Sequence, residues 1–289
     1  MDRETVENDL CTIIQAGDSY GQGQSPTDAL SLTVEDSLRW EAGDTITIKL
    51  LGGSKRVKSL VEYYARLWLN HANLEMDFVS TGRADVRVSF YPGGSYSVVG
   101  INCRCVMPQD KPTMNLAIDD ATPEHKFRRC VLHEFGHVLG FIHEHQNPAG
   151  NIQWDVNEVY NHYLHNQNRS VEWVDRKIFE AYSYDSHTGT EFDKDSVMIY
   201  PILAKHTTNG FSVGMNTQLS QKDKEYAATV YPPADAPTPI QYTNPNSYTP
   251  IHYPDQDVYV YPDQSHSRQH TYPLHRDYNS SAALGSHYY

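Results

Sequence analysis

The chain has 289 residues, 39% of them hydrophobic, enough for one large or two modest domains with a core. Its formal net charge of −13 argues against nonspecific nucleic-acid binding. No segment has the length and apolarity of a membrane span.

Residues 1–37 read as an N-terminal extension, with glycine, serine and polar residues dominating Gly17 to Asp28. The start, Met1-Asp2-Arg3-Glu4-Thr5-Val6-Glu7-Asn8-Asp9, is charged and has no apolar h-region. It is therefore not read as a signal peptide, and if Met1 is the true start a cytoplasmic location is expected. Trp40 opens the folded region, residues 38–231. Thr45 to Leu51 alternates Ile46, Ile48 and Leu50 and predicts a strand, broken by Gly52-Gly53. Ser54 then caps a helix predicted to run to about Leu69, with Val57, Leu60, Val61, Tyr64 and Trp68 on one face. Strands are predicted over Met76–Val79, Ala84–Tyr91, Tyr96–Val99 and Thr113–Ile118. A long helix follows, with Thr122 as N-cap, Pro123 at its first position and Glu124 suited to the positive helix start. Its Phe127, Val131, Phe135 and Val138 fall at helical spacing and face a core, and Cys130 reads as a buried thiol.

Further on, Asp155 with Glu158 forms a capping-box pattern, and Ser170 starts a helix carrying Trp173, Ile178 and Phe179. Ser220 with Asp223 starts a last helix ending near Tyr231. This order predicts an α+β fold: a twisted sheet backed by helices, then a smaller, mostly helical C-terminal subdomain, with a cleft between them. One strand before the long helix, sought between Ser95 and Met107, is expected to form the sheet edge above that cleft, where an extended peptide adds through main-chain hydrogen bonds. From Pro232 to Tyr289 the chain is rich in Pro, Tyr, Ser, Gln and His and poor in aliphatics. It cannot bury enough apolar surface to order itself and reads as a disordered tail whose histidines (His252, His266, His270, His275, His287) are solvated. The four cysteines, Cys11, Cys103, Cys105 and Cys130, make no dense disulfide framework. Cys103 and Cys105 are too close for an easy mutual bridge, and a pairing of one of them with Cys130 would need an oxidising compartment.

The most specific feature is His133-Glu134-Phe135-Gly136-His137-Val138-Leu139-Gly140-Phe141-Ile142-His143, which matches H-E-x-x-H-x-x-G-x-x-H. Residues four apart lie on one helix face, so His133 and His137 converge on one ion, roughly 6 Å apart along the axis. Glu134 projects about 100° round the helix, beside the metal rather than on it. Gly140 tolerates the left-handed conformation that ends a helix, which lets His143 swing back as third ligand. Three protein nitrogens leave a fourth position open, as in catalytic zinc sites. One catalytic Zn2+ is the expected cofactor. The expected chemistry is peptide-bond hydrolysis by an activated water, with Glu134 as general base and no covalent intermediate. A rival template takes its third ligand from a glutamate on a later helix, for which Glu158 is the candidate. The functional alternative is a catalytically inactive zinc-binding interaction protein; Glu134 speaks against it, since such a protein needs no carboxylate there.

With these residues the chain resembles the metzincin zinc endopeptidases, and within them the astacins, which follow the third histidine with a glutamate, here Glu144. The segment Asp195-Ser196-Val197-Met198-Ile199-Tyr200-Pro201 looks like the metzincin Met-turn, and Ser196, Met198 and Tyr200 match the astacin S-x-M-x-Y. The resemblance implies a metzincin-like fold and makes Tyr200 a mobile zinc ligand that stabilises the oxyanion. It also implies protein or peptide substrates, a monomer, and a catalytic domain that is commonly secreted, against the missing signal peptide. The chain departs from the family where Arg and Asp usually follow the glutamate: it has His145-Gln146-Asn147-Pro148, and Ile199 stands where astacins often have His. The chain looks more like the astacin-like peptidases of fungi and bacteria, where stretches similar to Gly94-Ser95-Tyr96-Ser97-Val98-Val99-Gly100, Thr113-Met114-Asn115-Leu116 and His143-Glu144-His145-Gln146-Asn147-Pro148 recur. Many metzincins are held inactive by a prosegment residue capping the zinc; Cys11 and Asp18 are the candidates here.

Overall fold

The computed structural model describes residues 12–14, 38–181 and 191–234. Cys11, Asp18 and the tail beyond Ala234 lie outside the described residues. The sheet has six strands: β1 (Thr12–Ile14), β2 (Thr45–Leu50), β3 (Glu75–Phe78), β4 (Val86–Ser89), β5 (Tyr96–Val98) and β6 (Met114–Asn115), ordered β1-β5-β6-β4-β2-β3. Every pairing is parallel except β5 on β6. The twisted sheet read from the sequence is therefore present and is mixed, with its single reversal at the strand expected to face the cleft. That strand is not a free edge. Thr12–Ile14 pairs along the outer side of β5, Thr12 opposite Tyr96 and Ile14 opposite Val98.

The strand pattern translates directly into burial. Ile46 and Ile48 alternate into the core and are fully buried, as are Val86 and Val88 of β4. Each such side chain contributes about 1.5–3 kcal/mol by leaving water. The strand predicted over Thr113–Ile118 shrinks to Met114–Asn115, but Thr113 N still donates to Arg87 O (2.9 Å) and Leu116 N to Ser89 O (2.9 Å), so its backbone follows β4 beyond the strand proper.

Helix α1 (Lys55–Ala65) is capped by Ser54, whose side chain accepts from Val57 N. It buries Val57, Val61, Tyr64 and Ala65 and tightens into a 3₁₀ turn, Arg66–Asn70, where the sequence predicted one continuous helix to Leu69. The turn swings the fully buried Trp68 toward the long helix α2 (Glu124–Val138), where its Nε1 donates to Leu132 O (2.9 Å).

Helix α2 starts one residue later than predicted. Pro123, with ψ at 140°, is its cap residue, and the Thr122 hydroxyl is engaged outside the helix, accepting from Asp119 N and donating to Asp119 Oδ1. From Val131 to Val138 every residue is buried. A helix enclosed all round has lost its polar face, so any polar side chain there must be satisfied locally. Phe127, Val131, Phe135 and Val138 sit in the main core as predicted. Cys130 is half-buried, with Sγ 3.1 Å from Ser95 Oγ, and Cys103 and Cys105 are free thiols.

After α2 the helices are short. Both α3 (Val156–Tyr160, capped by Asp155) and α4 (Val171–Val174, capped by Ser170) widen into π-helical turns, Asn161–Asn166 and Asp175–Phe179. These enclose a second cluster of Val159, Tyr163, Val174, Ile178 and Tyr200. Helix α5 (Gln221–Val230) opens with a reciprocal Ser220–Asp223 capping box and ends at Tyr231, as predicted.

Candidate metal centre

The end of α2 builds the site. Gly140 has φ +91°, a conformation that strains any other residue, and allows the helix to terminate abruptly. Two backbone bonds close the end, Gly140 N to His137 O and Phe141 N to Gly136 O, each 2.9 Å. This is the paired 5→2 and 6→1 pattern of a Schellman motif. The reversed chain carries His143 back over the helix it has just left.

His133, His137 and His143 converge: their ligand atoms all lie within 4.8 Å of one another, and all three residues are buried. Ring centroids are 4.8 Å apart for His133–His137 and His137–His143, and 5.2 Å for His133–His143. The backbone fixes two of the tautomers. His133 Nδ1–H donates to Val197 O (2.8 Å) and His137 Nδ1–H to Phe141 O (2.7 Å). Each ring therefore presents the Nε2 lone pair inward. Burial holds His137 down at about 4, and holds His133 and His143 well below the ordinary histidine range, so all three are neutral donors.

These residues fit a zinc ion. His133 Nε2 is buried with no hydrogen-bond partner, a costly state for an acceptor unless a ligand fills it. His137 Nε2 and His143 Nε2 are 3.2 Å apart, close to the roughly 3.3 Å between two nitrogens on a tetrahedral zinc with Zn–N bonds of about 2.0–2.1 Å. Glu158, the rival third ligand, is exposed on α3 and lies outside this cluster. Glu134 is buried, one residue beyond the first ligand.

The turn carrying Met198 is gripped from two sides. From α2, Arg129 donates through Nη1 to Val197 O and through Nη2 to Ile199 O (2.6 Å), so its guanidinium spans the carbonyls flanking Met198. From α5, Asp223 accepts from Ser196 Oγ (2.6 Å), Val197 N (2.8 Å) and Ser220 N (2.9 Å). Met198 then rests on Gly136: a Cβ at that glycine would meet Met198 Sδ at 2.3 Å. Val197 O is thus held by Arg129 and in turn orients His133. The sequence pattern points to none of Arg129, Gly136 and the tethering role of Asp223. It marks Asp223 as a capping residue, but nothing in sequence spacing tells that a cap carboxylate also reaches a turn about 26 positions upstream.

Glu144 holds the other end of the loop. Its Oε1 accepts from Asn147 Nδ2 (3.0 Å) and Asp193 N (2.9 Å), and its own N–H donates to Met198 O (3.2 Å). Burial, reinforced by Asp223 and Asp193, pushes its carboxyl up to about 7. Where the family's usual Arg and Asp are replaced, the chain supplies other tethers. Gln146 Nε2 donates to Arg176 O (3.0 Å) and Glu180 O (2.8 Å), and His145 Nε2 to Lys177 O (2.8 Å). Tyr200, only 2% exposed, lies against the third ligand, with its ring 4.1 Å from that of His143 and 6.1 Å from that of His133.

A histidine triad at the end of a buried helix, closed by a glycine and backed by a methionine turn, defines a metzincin-type zinc metalloendopeptidase. The family model of the astacin peptidases matches residues 37–232, and the chain belongs to that family. A structure of myroilysin is similar at a TM-score of 0.67 and 44% identity, covering 70% of this chain and 98% of that one. A crystal structure of myroilysin is similar at 0.54 and 43%, covering 68% and 87%. Bone morphogenetic protein 1 of Xenopus laevis is 32% identical over 114 residues, which is 35% of this chain. The chain spans only 15% of the length of that relative.

Proposed function

We propose that the chain hydrolyses peptide bonds of protein or peptide substrates at the His133–His137–His143 centre, with Glu134 as general base and Tyr200 as donor to the developing oxyanion. The observation that carries this reading is the convergence of three neutral, buried imidazoles, one with an unpartnered Nε2, beside a buried carboxylate. Bound there, zinc supplies an acidified water and polarisation of the scissile carbonyl. Glu134 takes the proton of the attacking water and returns it to the leaving amine, the exchange expected of a carboxylate next to such a site. The Tyr200 phenol donates a hydrogen bond where negative charge develops.

An extended substrate would pair with the outer edge of β5, the strand that runs against its neighbour. Thr12–Ile14 holds that edge. The N-terminal extension therefore acts as a pro-segment, and its strand must leave before a substrate strand can pair.

The deciding experiment is digestion of a proteome-derived peptide library with and without a chelator, by the full chain, by a chain lacking residues 1–37 and by Glu134→Ala. Cleavage that a chelator stops, that rises on truncation and that Glu134→Ala loses while keeping its zinc is the expected result. Chelator-insensitive cleavage, or near-normal turnover by Glu134→Ala, refutes the mechanism. Zinc retention with no cleavage by any form would instead favour an inactive interaction protein.

A further inference from the structure

We propose that His145 is a positioning residue for Tyr200. This rests on the oxyanion role given to Tyr200 above. The two rings are stacked face to face, centroids 4.5 Å apart and planes 18° from parallel. Tyr200 also lies against His143, and the His143 and His145 rings are themselves 5.3 Å apart. The phenol ring thus has the third ligand as one neighbour and His145 as its parallel support.

That support is rigid. His145 is 4% exposed, and its Nε2–H is held by Lys177 O, a carbonyl of the second π-helical turn. The neighbouring Gln146 anchors the same turn through the carbonyls of Arg176 and Glu180. Because Nε2 carries the proton, Nδ1 is an acceptor, and it is buried without a hydrogen-bond partner. A leucine or phenylalanine would fill the place with no such penalty, about 1–3 kcal/mol for an unpaired buried acceptor. What the imidazole adds is a flat face locked in one orientation by a main-chain tether. A π-turn inside a helix is a frequent feature of functional sites, and here its carbonyl fixes the plane on which Tyr200 rests. Tyr200 is thereby held in one plane beside the His143 ring, and a small misplacement of such a group is costly in rate.

The test is a double-mutant cycle on the zinc-loaded full chain, with kcat and KM measured on one peptide. His145→Ala is expected to lower kcat by about tenfold with KM within about twofold and zinc content unchanged. His145→Phe, which restores a flat ring, should bring kcat back to within about threefold, whereas the non-planar His145→Leu should not. In a Tyr200→Phe background, His145→Ala should cost nothing further, because His145 acts only through the phenol. The Tyr200 ring resonances, assigned by their loss in Tyr200→Phe, should shift in His145→Ala both with and without zinc. A loss of kcat as large in the Tyr200→Phe background as in the native one overturns the inference, as does equal activity of the leucine and phenylalanine variants. Full activity of Tyr200→Phe alone refutes the role of Tyr200 itself, which is a separate failure. Should His145→Ala fail to fold, the leucine and phenylalanine pair carries the same comparison.

Discussion

From Trp40 to Val138 the molecule is held by apolar side chains at regular spacing: β2 and β4 bury alternate or successive residues, and α1 and α2 close over them with Val57, Val61, Trp68, Phe127 and Phe135. After Gly140 the regular elements are a few turns long, and the chain is held by side chains that bond distant backbone. Asp223 holds Ser196 and Val197, Arg129 holds Val197 and Ile199, and Gln146 and His145 hold the turn at Arg176 to Glu180. The first region supplies a rigid helix end with two ligands. The second places the third ligand, the methionine and Tyr200 against it. Burial is non-directional and makes a stable platform, whereas positioning to a fraction of an ångström comes from directional polar tethers.

Paired substitutions can break that comparison. Asp223→Ala leaves the Ser196 hydroxyl and Val197 N–H buried without their partner, and should cost about 3–5 kcal/mol of stability in a denaturant titration. Ile46→Ala, fully buried in the first region, should cost a similar 2–5 kcal/mol. The two should differ in zinc affinity, which falls by about tenfold or more only for Asp223→Ala. Equal zinc affinities in a competition titration would deny the second region its positioning role. Arg129→Met keeps the apolar stem and loses both carbonyl contacts. Its expected effects are about 2 kcal/mol in stability and a zinc affinity lowered by about tenfold, because Val197 O no longer fixes the His133 tautomer. Gly140→Ala sits at the junction. At φ +91° it should cost about 1–2 kcal/mol in thermal unfolding even without zinc, since the strain is in the backbone and not in the site.

The difference between the regions also explains what the sequence could tell. Ile46 and Ile48 alternate, and Val131, Phe135 and Val138 recur at helical spacing, because burial of one face imposes a period on the chain. The three histidines were legible for a related reason: two must lie one turn apart and the third must follow a helix stop, so the geometry is local. Tyr200 and Met198 were legible through family resemblance alone. Arg129 and Gly136 were hidden because their partners lie about 60–70 residues away, and no period encodes such a meeting. The Thr122 cap failed for a local reason: Asp119 had already engaged its hydroxyl. The pairing of Thr12–Ile14 on β5 could not be read either, since a strand of three residues carries too little pattern to identify a partner.

A smaller, pH-dependent effect comes from a histidine of the second region that lies outside the metal centre. His206, in the second region, is 3% exposed and faces the His162 ring at 4.6 Å and the Tyr163 ring at 6.0 Å, with Lys205 as the neighbouring cation. Burial first, then His162 and Lys205, lower it from 6.5 to about 4. A histidine lowered on folding is neutral in the folded chain while the unfolded chain takes a proton. The stability it allows is fully present above 6.5 and is lost as pH falls from there toward 4. The loss should be about 1–2 kcal/mol over that interval, less than the full shift implies because solvent and neighbouring groups relax. His206→Gln, which cannot charge, should flatten the acid limb of the melting-temperature profile between about pH 6.5 and 4.5. Because zinc release from His133, His137 and His143 also destabilises the chain in acid, the comparison belongs in the metal-free protein, where the protonation of those three buried rings is common to both forms and His206 alone separates the variant from the native chain. Superimposable acid limbs there would show that the pair is no more sensitive to protons than the apolar core above it.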